Sequence, residues 1–157
     1  MILTDLPDFL AALAPGRAIC GLDLGDKTIG VAVSDLRRTV STPIEVIRRS
    51  KFTEDAAKLL AILTDRNICG IILGLPLNMD GSSGPRVQST QAFARNLIKL
   101  TDLPITYWDE RLSTVAAERA LIEADTSRKR RREVIDQVAA GYILQGALDR
   151  MRVLEGS

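Results

Sequence analysis

Two carboxylates along the chain stand where packing alone would not place them. Asp23 lies inside an apolar run, between two leucines. An ionised carboxylate buried there costs several kcal/mol unless it is paired or coordinated. Glu110 directly follows the strand-like run 105–108, and ligands of open α/β sheets gather at the carboxyl ends of strands. Structural roles remain open for both, since Asp23 could bond a turn and Glu110 could pair with Arg111.

Asp136 has the most specific placement of the acidic residues. It shares a helical face with an apolar stripe at i+3, i+4, i+7, i+8 and i+11, namely Ala139, Ala140, Ile143, Leu144 and Ala147. A helix that needed only stability would carry an apolar residue at position 136. The alanines one turn later would let the helix backbone approach a sheet closely. The alternative is a carboxylate satisfied by an arginine of the neighbouring basic run.

The residue types present restrict the chemistry. The sequence contains no histidine, which excludes Ser-His-Asp and Cys-His catalysis and His-ligated zinc. Cys20 and Cys69 lie far apart in apolar runs, so we expect buried reduced thiols. Three acids from a first strand, a last strand and a last helix suit Mg²⁺ or Mn²⁺, which take oxygen ligands. Two such ions can activate water and stabilise the leaving oxygen in phosphodiester hydrolysis.

The hydrophobic pattern predicts the elements that position these acids. Runs 18–25 and 29–34 are connected too closely for anything but an antiparallel hairpin. We expect further strands at 42–47, 69–73 and 105–108, and helices beginning near Pro7, at 53–65, at Pro85, after Ser113 or Thr114, and at 131–150. Strands first and then alternating helices and strands predict an α/β fold with a mixed sheet. The 157 residues favour a single domain, 1–157, with its core at about 18–150.

The excess of basic over acidic residues arises from one segment of the chain. The chain has 21 basic and 20 acidic residues, and without the run Arg128, Lys129, Arg130, Arg131 and Arg132 it would have 16 basic against 20 acidic. Such a run is commonly a solvated face. Because it directly precedes the helix that carries Asp136, we predict that it contacts a nucleic-acid backbone, with Arg111 as a second contact.

The segment 75–86 predicts a second contact with nucleic acid. It follows a strand and leads into a helix that begins at Pro85. Asn78 and two serines can donate hydrogen bonds, the amides at the helix N-terminus favour anions, and Arg86 is nearby. A plain turn with a helix cap would look similar.

Four motifs in this order resemble the YqgF/RuvX family of Holliday-junction-resolvase-like proteins, assigned to pre-16S ribosomal RNA processing within the ribonuclease-H-like superfamily. They are Gly21–Gly25 with Gly30–Ser34, Gly74–Gly81, Asp109–Thr114 and Asp136–Gln145. The resemblance implies a ribonuclease-H-like fold with a five-stranded mixed sheet flanked by helices. It also implies that Asp23, Glu110 and Asp136 are the catalytic, metal-binding acids. RuvC-type resolvases place a further acid or histidine one turn after the last aspartate, where this chain has Ala139, which argues against junction resolution.

The leading hypothesis is therefore a nuclease dependent on Mg²⁺ or Mn²⁺ that acts on structured RNA, with 5′-end processing of pre-16S rRNA as its task. A non-catalytic nucleic-acid-binding module of the same fold and a branched-DNA resolvase are the alternatives. Actin-like ATPases also use Asp-x-Gly in a first hairpin, but they need two domains. The expected partners are precursor ribosomal RNA, less so branched DNA, and the ribosome or its precursors. Neither an apolar span nor a basic N-terminal signal is present, so we expect a cytoplasmic protein without membrane contact. We also expect a monomer or a weak dimer.

Overall fold

A single mixed sheet positions the acidic residues. The computed structural model describes residues 1–125 and 128–156, with side chains except at 116, 123, 125 and 128–133. The described strands are β1 (Ile2–Leu3), β2 (Ala18–Leu24), β3 (Thr28–Ser34), β4 (Ser41–Arg48), β5 (Ile68–Leu75) and β6 (Ile105–Asp109). The described helices are α1 (Leu6–Ala12), α2 (Phe52–Asp65), α3 (Pro85–Leu97), α4 (Val115–Asp125) and α5 (Arg128–Glu155), with a 3-10 turn at Glu110–Leu112.

The strands run in the order β1-β6-β5-β2-β3-β4. The predicted hairpin is confirmed, because β2 and β3 pair antiparallel with Asp23 opposite Gly30. Strands β2, β5, β6 and β1 are mutually parallel. Parallel neighbours need crossover connections, and α2 and α3 provide them. The carboxyl ends of β2, β5 and β6 therefore meet at one edge of the sheet.

The predicted α/β class is confirmed, but the predicted count of five strands is wrong. The strand that was not predicted is β1, whose residue Ile2 pairs with Ile105 of β6. The amide of Ile105 also donates to the carbonyl of Met1 at 2.9 Å. Two residues are too short to show an alternating pattern. Pairing with an existing sheet edge is what makes this segment a strand.

Helices cover both faces of the sheet. One face packs against α2 and α3, and its core includes Leu59, Phe93 and Leu97. The other packs against α1, α4 and α5. Gly21 permits the close approach of α5, since a Cβ there would lie 2.7 Å from the Cβ of Leu144. Among the described residues, no helix combines the length and apolar character that crossing a membrane requires.

Helix α5 is longer than the predicted 131–150 at both ends. Its apolar stripe packs on the sheet as the spacing predicts, since Ala140, Ile143 and Leu144 are fully buried. The face that contacts the sheet therefore carries Asp136 to the strand ends.

Candidate active site

The three predicted acids lie together at the carboxyl edge of the sheet. Asp23 is the penultimate residue of β2, Glu110 follows β6 directly, and Asp136 lies on α5. Their exposed fractions are 1%, 6% and 6%. Asp23 and Glu110 both contact Arg119 of α4, so both point to the face covered by α4 and α5. The fold thus brings acids from distant parts of the chain into one buried cluster.

Arg119 of α4 joins two of these acids. Its Nη2 atom donates to Asp23 Oδ1 at 2.7 Å. Its Nη1 atom forms an ion pair with Glu110 Oε1 at 2.8 Å. One guanidinium therefore bridges the ends of β2 and β6.

Several oxygen atoms of this cluster are buried without a hydrogen-bond partner among the described residues. They are Asp23 Oδ2 and both oxygens of Glu110. Glu110 Oε2 faces the backbone of β5, where a Cβ on Gly74 would lie 2.9 Å away. Buried polar atoms are normally satisfied, because leaving one unpaired costs about 1–3 kcal/mol. Stability alone does not explain such an arrangement, and unsatisfied carboxylate oxygens are suited to a cation.

Asp136 is held by the β2–β3 hairpin. The hydroxyl of Thr28 donates to Asp136 Oδ2. Gly25 and Gly30 leave the room that this approach needs, because a side chain at position 25 would meet the carboxylate and one at position 30 would meet the backbone of Asp136. The glycines of the hairpin therefore set the depth at which α5 enters the site.

Burial and nearby negative charge raise the pKa values of Glu110 and Asp136. Burial raises the pKa of Glu110, and the charge of Asp23 raises it further, while Arg119 and Arg86 oppose both effects. Burial is also the main cause that raises the pKa of Asp136 to about 8, followed by the charge of the neighbouring Asp23. Perturbed carboxyl groups of this kind are typical of functional sites.

The donor set fits a divalent metal in chemistry, although not in its present arrangement. Among the described residues, no three acidic or cysteine side chains converge closely enough to hold a metal ion. Arg119 lies between two of the carboxylates. Hard carboxylate oxygens without a partner are the ligands that Mg²⁺ and Mn²⁺ prefer. Asp23, Glu110 and Asp136 are thus the residues that would bind such an ion.

The loop between β5 and α3 is ordered by its own side chains. Asn78 Nδ2 donates to Ser82 Oγ at 3.0 Å, and Ser82 N and Oγ donate to Asp80 at 2.9 and 2.6 Å. Gly81 has a φ of +86°, a value that favours glycine. Pro85 begins α3 as predicted. Asn78 is exposed, but part of its donor capacity shapes the loop.

The two predicted arginines outside the basic run lie in different surroundings. Arg86 Nη2 donates to the carbonyl of Leu24 at 3.3 Å, next to Asp23, so Arg86 borders the acidic cluster. Arg111 instead donates to the carboxylate of Asp109, at 2.7 Å from Nη2, and to the carbonyl of Met79. This pairing lowers the pKa of Asp109. Arg111 therefore connects the end of β6 to the loop.

The basic run Arg128, Lys129, Arg130, Arg131 and Arg132 forms the first turns of α5, and its side chains lie outside the described residues. The backbone places the run directly before Asp136. Its contact with nucleic acid stays a prediction.

Two residues of the site, Arg119 and Thr28, are not among those that the sequence predicted. Arg119 follows the buried Val115 by four residues, so both share one face of α4. A charged residue on the buried face is the same signal that identified Asp136. Thr28 offers no comparable signal, because threonine is common in strands.

A comparison with known families decides the assignment. Residues 17–150 match RuvX, described as a Holliday junction resolvase. The chain belongs to the RuvX family. A relative from Ruegeria pomeroyi is 70% identical over 98% of this chain and 100% of its own length. Another from Paracoccus denitrificans is 70% identical over 98% of both chains. Both carry the name "Putative pre-16S rRNA nuclease".

The RuvX-family assignment confirms the predicted resemblance and the predicted enzyme class, a nuclease that hydrolyses phosphodiester bonds. The structure of Thermus thermophilus RuvC is similar with a TM-score of 0.53 at 13% identity, over 87% of this chain and 97% of that one. RuvC from the same organism in complex with a Holliday junction substrate gives 0.51 at 12% identity, over 86% and 96%. These similarities confirm the ribonuclease-H-like fold.

Proposed function

We propose that this RuvX-family nuclease cleaves structured RNA and processes the 5′ end of precursor 16S rRNA with the help of Mg²⁺ or Mn²⁺. The main support for this proposal is the buried cluster of Asp23, Glu110 and Asp136, in which three oxygen atoms lack a hydrogen-bond partner among the described residues. The substrate is supported by the two relatives that match this chain over nearly its whole length. Its proposed partner is a ribosomal precursor in the cytoplasm, which it meets as a monomer or weak dimer.

In this proposal, Asp23 and Asp136 bind the metal directly, and Glu110 binds it directly or through a water. An ion held by these residues would supply an activated water and would stabilise the leaving oxygen. Asp136, whose pKa is raised to about 8, must lose its proton to bind the metal, because only the ionised carboxylate is a strong ligand. Thr28 keeps the Asp136 carboxylate oriented through its hydroxyl hydrogen bond.

The RNA backbone is recognised by the residues around this cluster. The charge of Arg86 lowers the pKa of Glu110 and of Asp136, and in this proposal Arg86 contacts a phosphate beside the cleaved bond. Asn78 contacts the RNA from the loop after β5. Arg111 contacts it from the end of β6, beside that loop. The run Arg128, Lys129, Arg130, Arg131 and Arg132 supplies charge where α5 begins. Contacts of this kind position the substrate without reading bases.

The deciding experiment incubates the purified protein with 5′-extended small-subunit ribosomal RNA. One set of reactions contains Mg²⁺ or Mn²⁺ and another contains a chelator. We expect cleavage near the mature 5′ end with metal only. A four-way DNA junction of equal concentration serves as the competing substrate. Cleavage of the junction but not of the RNA would replace the RNA proposal with junction resolution, and cleavage in the chelator would contradict metal dependence.

The backbone contact has a separate test. Replacing the five residues of the basic run with alanine should weaken RNA binding and flatten its dependence on salt by roughly one unit of log-log slope for each lost phosphate contact. Binding is measured in chelator by fluorescence anisotropy across a salt series. An unchanged slope would mean that the run is a solvated face.

A further inference from the structure

We propose that Arg119 and a divalent metal compete for Asp23 and Glu110, so that metal binding releases the Arg119 guanidinium to contact a phosphate of the nucleic acid. The proposal rests on the proposed function in one respect, the binding of metal by these two acids. It adds a positioning residue that sets metal affinity and then becomes part of the substrate site.

The first support is the bridging geometry. Arg119 reaches Asp23 with Nη2 at 2.7 Å and Glu110 with Nη1 at 2.8 Å. The two acids come from β2 and β6, which are separated by β5 in the sheet. A single positive group thus occupies the space between carboxylates from different strands. A metal shared by both acids would need the same space.

The second support is electrostatic. Asp23, Glu110 and Asp136 are buried together, and such crowding is unfavourable without a cation. Among the ion pairs of the described side chains, Arg119 alone contacts Asp23 and Glu110. Arg86 acts on the cluster by its charge, while its Nη2 atom bonds the carbonyl of Leu24. Arg119 is therefore the group that neutralises the acids directly.

Mutual exclusion follows from these contacts. A metal ion bound to Asp23 and Glu110 would lie close to the guanidinium, and two like charges at such a distance in a buried site repel strongly. The oxygens Asp23 Oδ1 and Glu110 Oε1 also cannot be fully available to the metal while they face Arg119. Release of the guanidinium removes both conflicts.

The released side chain has a path to the substrate. Arg119 keeps 19% of its side chain exposed, whereas Asp23 keeps 1%, so Arg119 is more accessible to solvent than the acid with which it pairs. Helix α4 packs on α5 and on the preceding 3-10 turn. Arginine suits a phosphate because its planar fork can donate two parallel hydrogen bonds. A phosphodiester that approaches a metal at this site would meet Arg119 at the rim.

The first test measures Mg²⁺ affinity by isothermal titration calorimetry, without any substrate. The proteins are wild type, Arg119→Gln, Arg119→Lys and a control, Arg17→Gln. Arg17 is also half-buried, but it donates to the carbonyls of Asn67 and Ile68 at 3.2 and 2.8 Å.

We expect Arg119→Gln to bind Mg²⁺ about tenfold more tightly than wild type, because the metal no longer displaces a competitor. Arg119→Lys should fall between the two, since lysine keeps the charge but cannot bridge both acids with a planar fork. Arg17→Gln should match wild type. Should Arg119→Gln fail to fold in chelator, the Arg119→Lys comparison decides.

The outcomes separate this inference from the proposed function. If wild type and the Arg119 variants all bind no Mg²⁺, the metal site and the competition are both overturned. If all bind with equal affinity, the metal site stands and the competition is overturned. Weaker binding by Arg119→Gln would likewise overturn it, because Arg119 would then support the metal. Binding by the variant but not by wild type would support competition in its strongest form.

The second test measures the affinity for a short RNA duplex in Ca²⁺ and in chelator. Release of Arg119 predicts that Arg119→Gln loses about tenfold in affinity with Ca²⁺ and nothing in chelator. Equal losses in both conditions would show that Arg119 contacts RNA without release. No loss in either condition would show that Arg119 makes no phosphate contact. Either result overturns the metal-controlled contact.

Discussion

Two buried aspartates show how differently this fold uses the same side chain. Asp55, on the first turn of α2, is 2% exposed, and Asp23 is 1% exposed. Asp55 accepts hydrogen bonds from Ser50 N at 3.0 Å and from Ser50 Oγ at 3.3 Å. Asp23 accepts one from Arg119, and its second oxygen has no partner among the described residues. Burial therefore does not distinguish the two aspartates, but hydrogen bonding does.

The reason lies in the distance along the chain between each acid and its partner. Asp55 is satisfied by a residue five positions earlier, near a helix N-terminus that favours negative charge. Asp23 depends on a residue 96 positions away, and its neighbours in space are further acids. A locally satisfied carboxylate stabilises its own turn, whereas an unsatisfied one marks a site where another ligand is expected.

The largest expected effect separates the two aspartates by activity. Asp23→Asn should lower metal-dependent RNA cleavage about a thousandfold, because it removes a metal ligand that contributes several kcal/mol to the transition state. The matched variant Asp55→Asn should cleave at nearly the wild-type rate. Single-turnover rates with Mg²⁺ measure both. Comparable losses in the two variants would remove the distinction between them.

The next prediction concerns the contribution of Asp55 to stability. Asp55→Asn should lower the free energy of unfolding by about 1–3 kcal/mol, since a neutral amide cannot replace charge-assisted hydrogen bonds from Ser50. Urea denaturation followed by circular dichroism in chelator measures the loss. A variant as stable as wild type would mean that the bonds of Asp55 contribute little.

A further effect concerns the pH dependence of stability in chelator. The pKa of Asp136 rises from 3.8 to about 8 on folding, so the folded state binds the extra proton between these values. Wild-type stability should therefore fall as the pH rises from about 4 to about 8. Asp136→Asn imitates the protonated form and should show a flatter profile and greater stability at about pH 8. Parallel profiles for the two proteins would place the pKa of Asp136 near its ordinary value.

The smallest effect is expected at an acid that is neither buried nor unsatisfied. Asp109 pairs with Arg111 at 2.7 Å near the surface. Because solvent screens such pairs, Arg111→Gln should change the free energy of unfolding by less than about 1 kcal/mol. The difference should shrink further in 1 M salt. Chemical denaturation at two salt concentrations checks this, and a loss as large as that for Asp55 would show that Arg111 anchors the loop for stability.

The sequence by itself determined which acids to examine. Asp23, Glu110 and Asp136 are visible because each interrupts a local apolar pattern or follows a strand directly. The β2–β3 hairpin is visible for a similar reason, since its short connection allows one geometry. Hydrophobic patterns with a period of two or 3.6 residues extend over short segments of the chain. These features can be recognised within such segments.

Only the tertiary structure decided how these acids are paired. Arg119 meets Asp23 and Glu110 because α4 packs at the sheet edge where β2 and β6 end. The raised pKa of Asp136 likewise arises from burial and from Asp23, more than a hundred residues earlier. The strand β1 exists because β6 offers an edge to Ile2. Electrostatic and edge contacts join residues that are remote in sequence, so no local pattern specifies them.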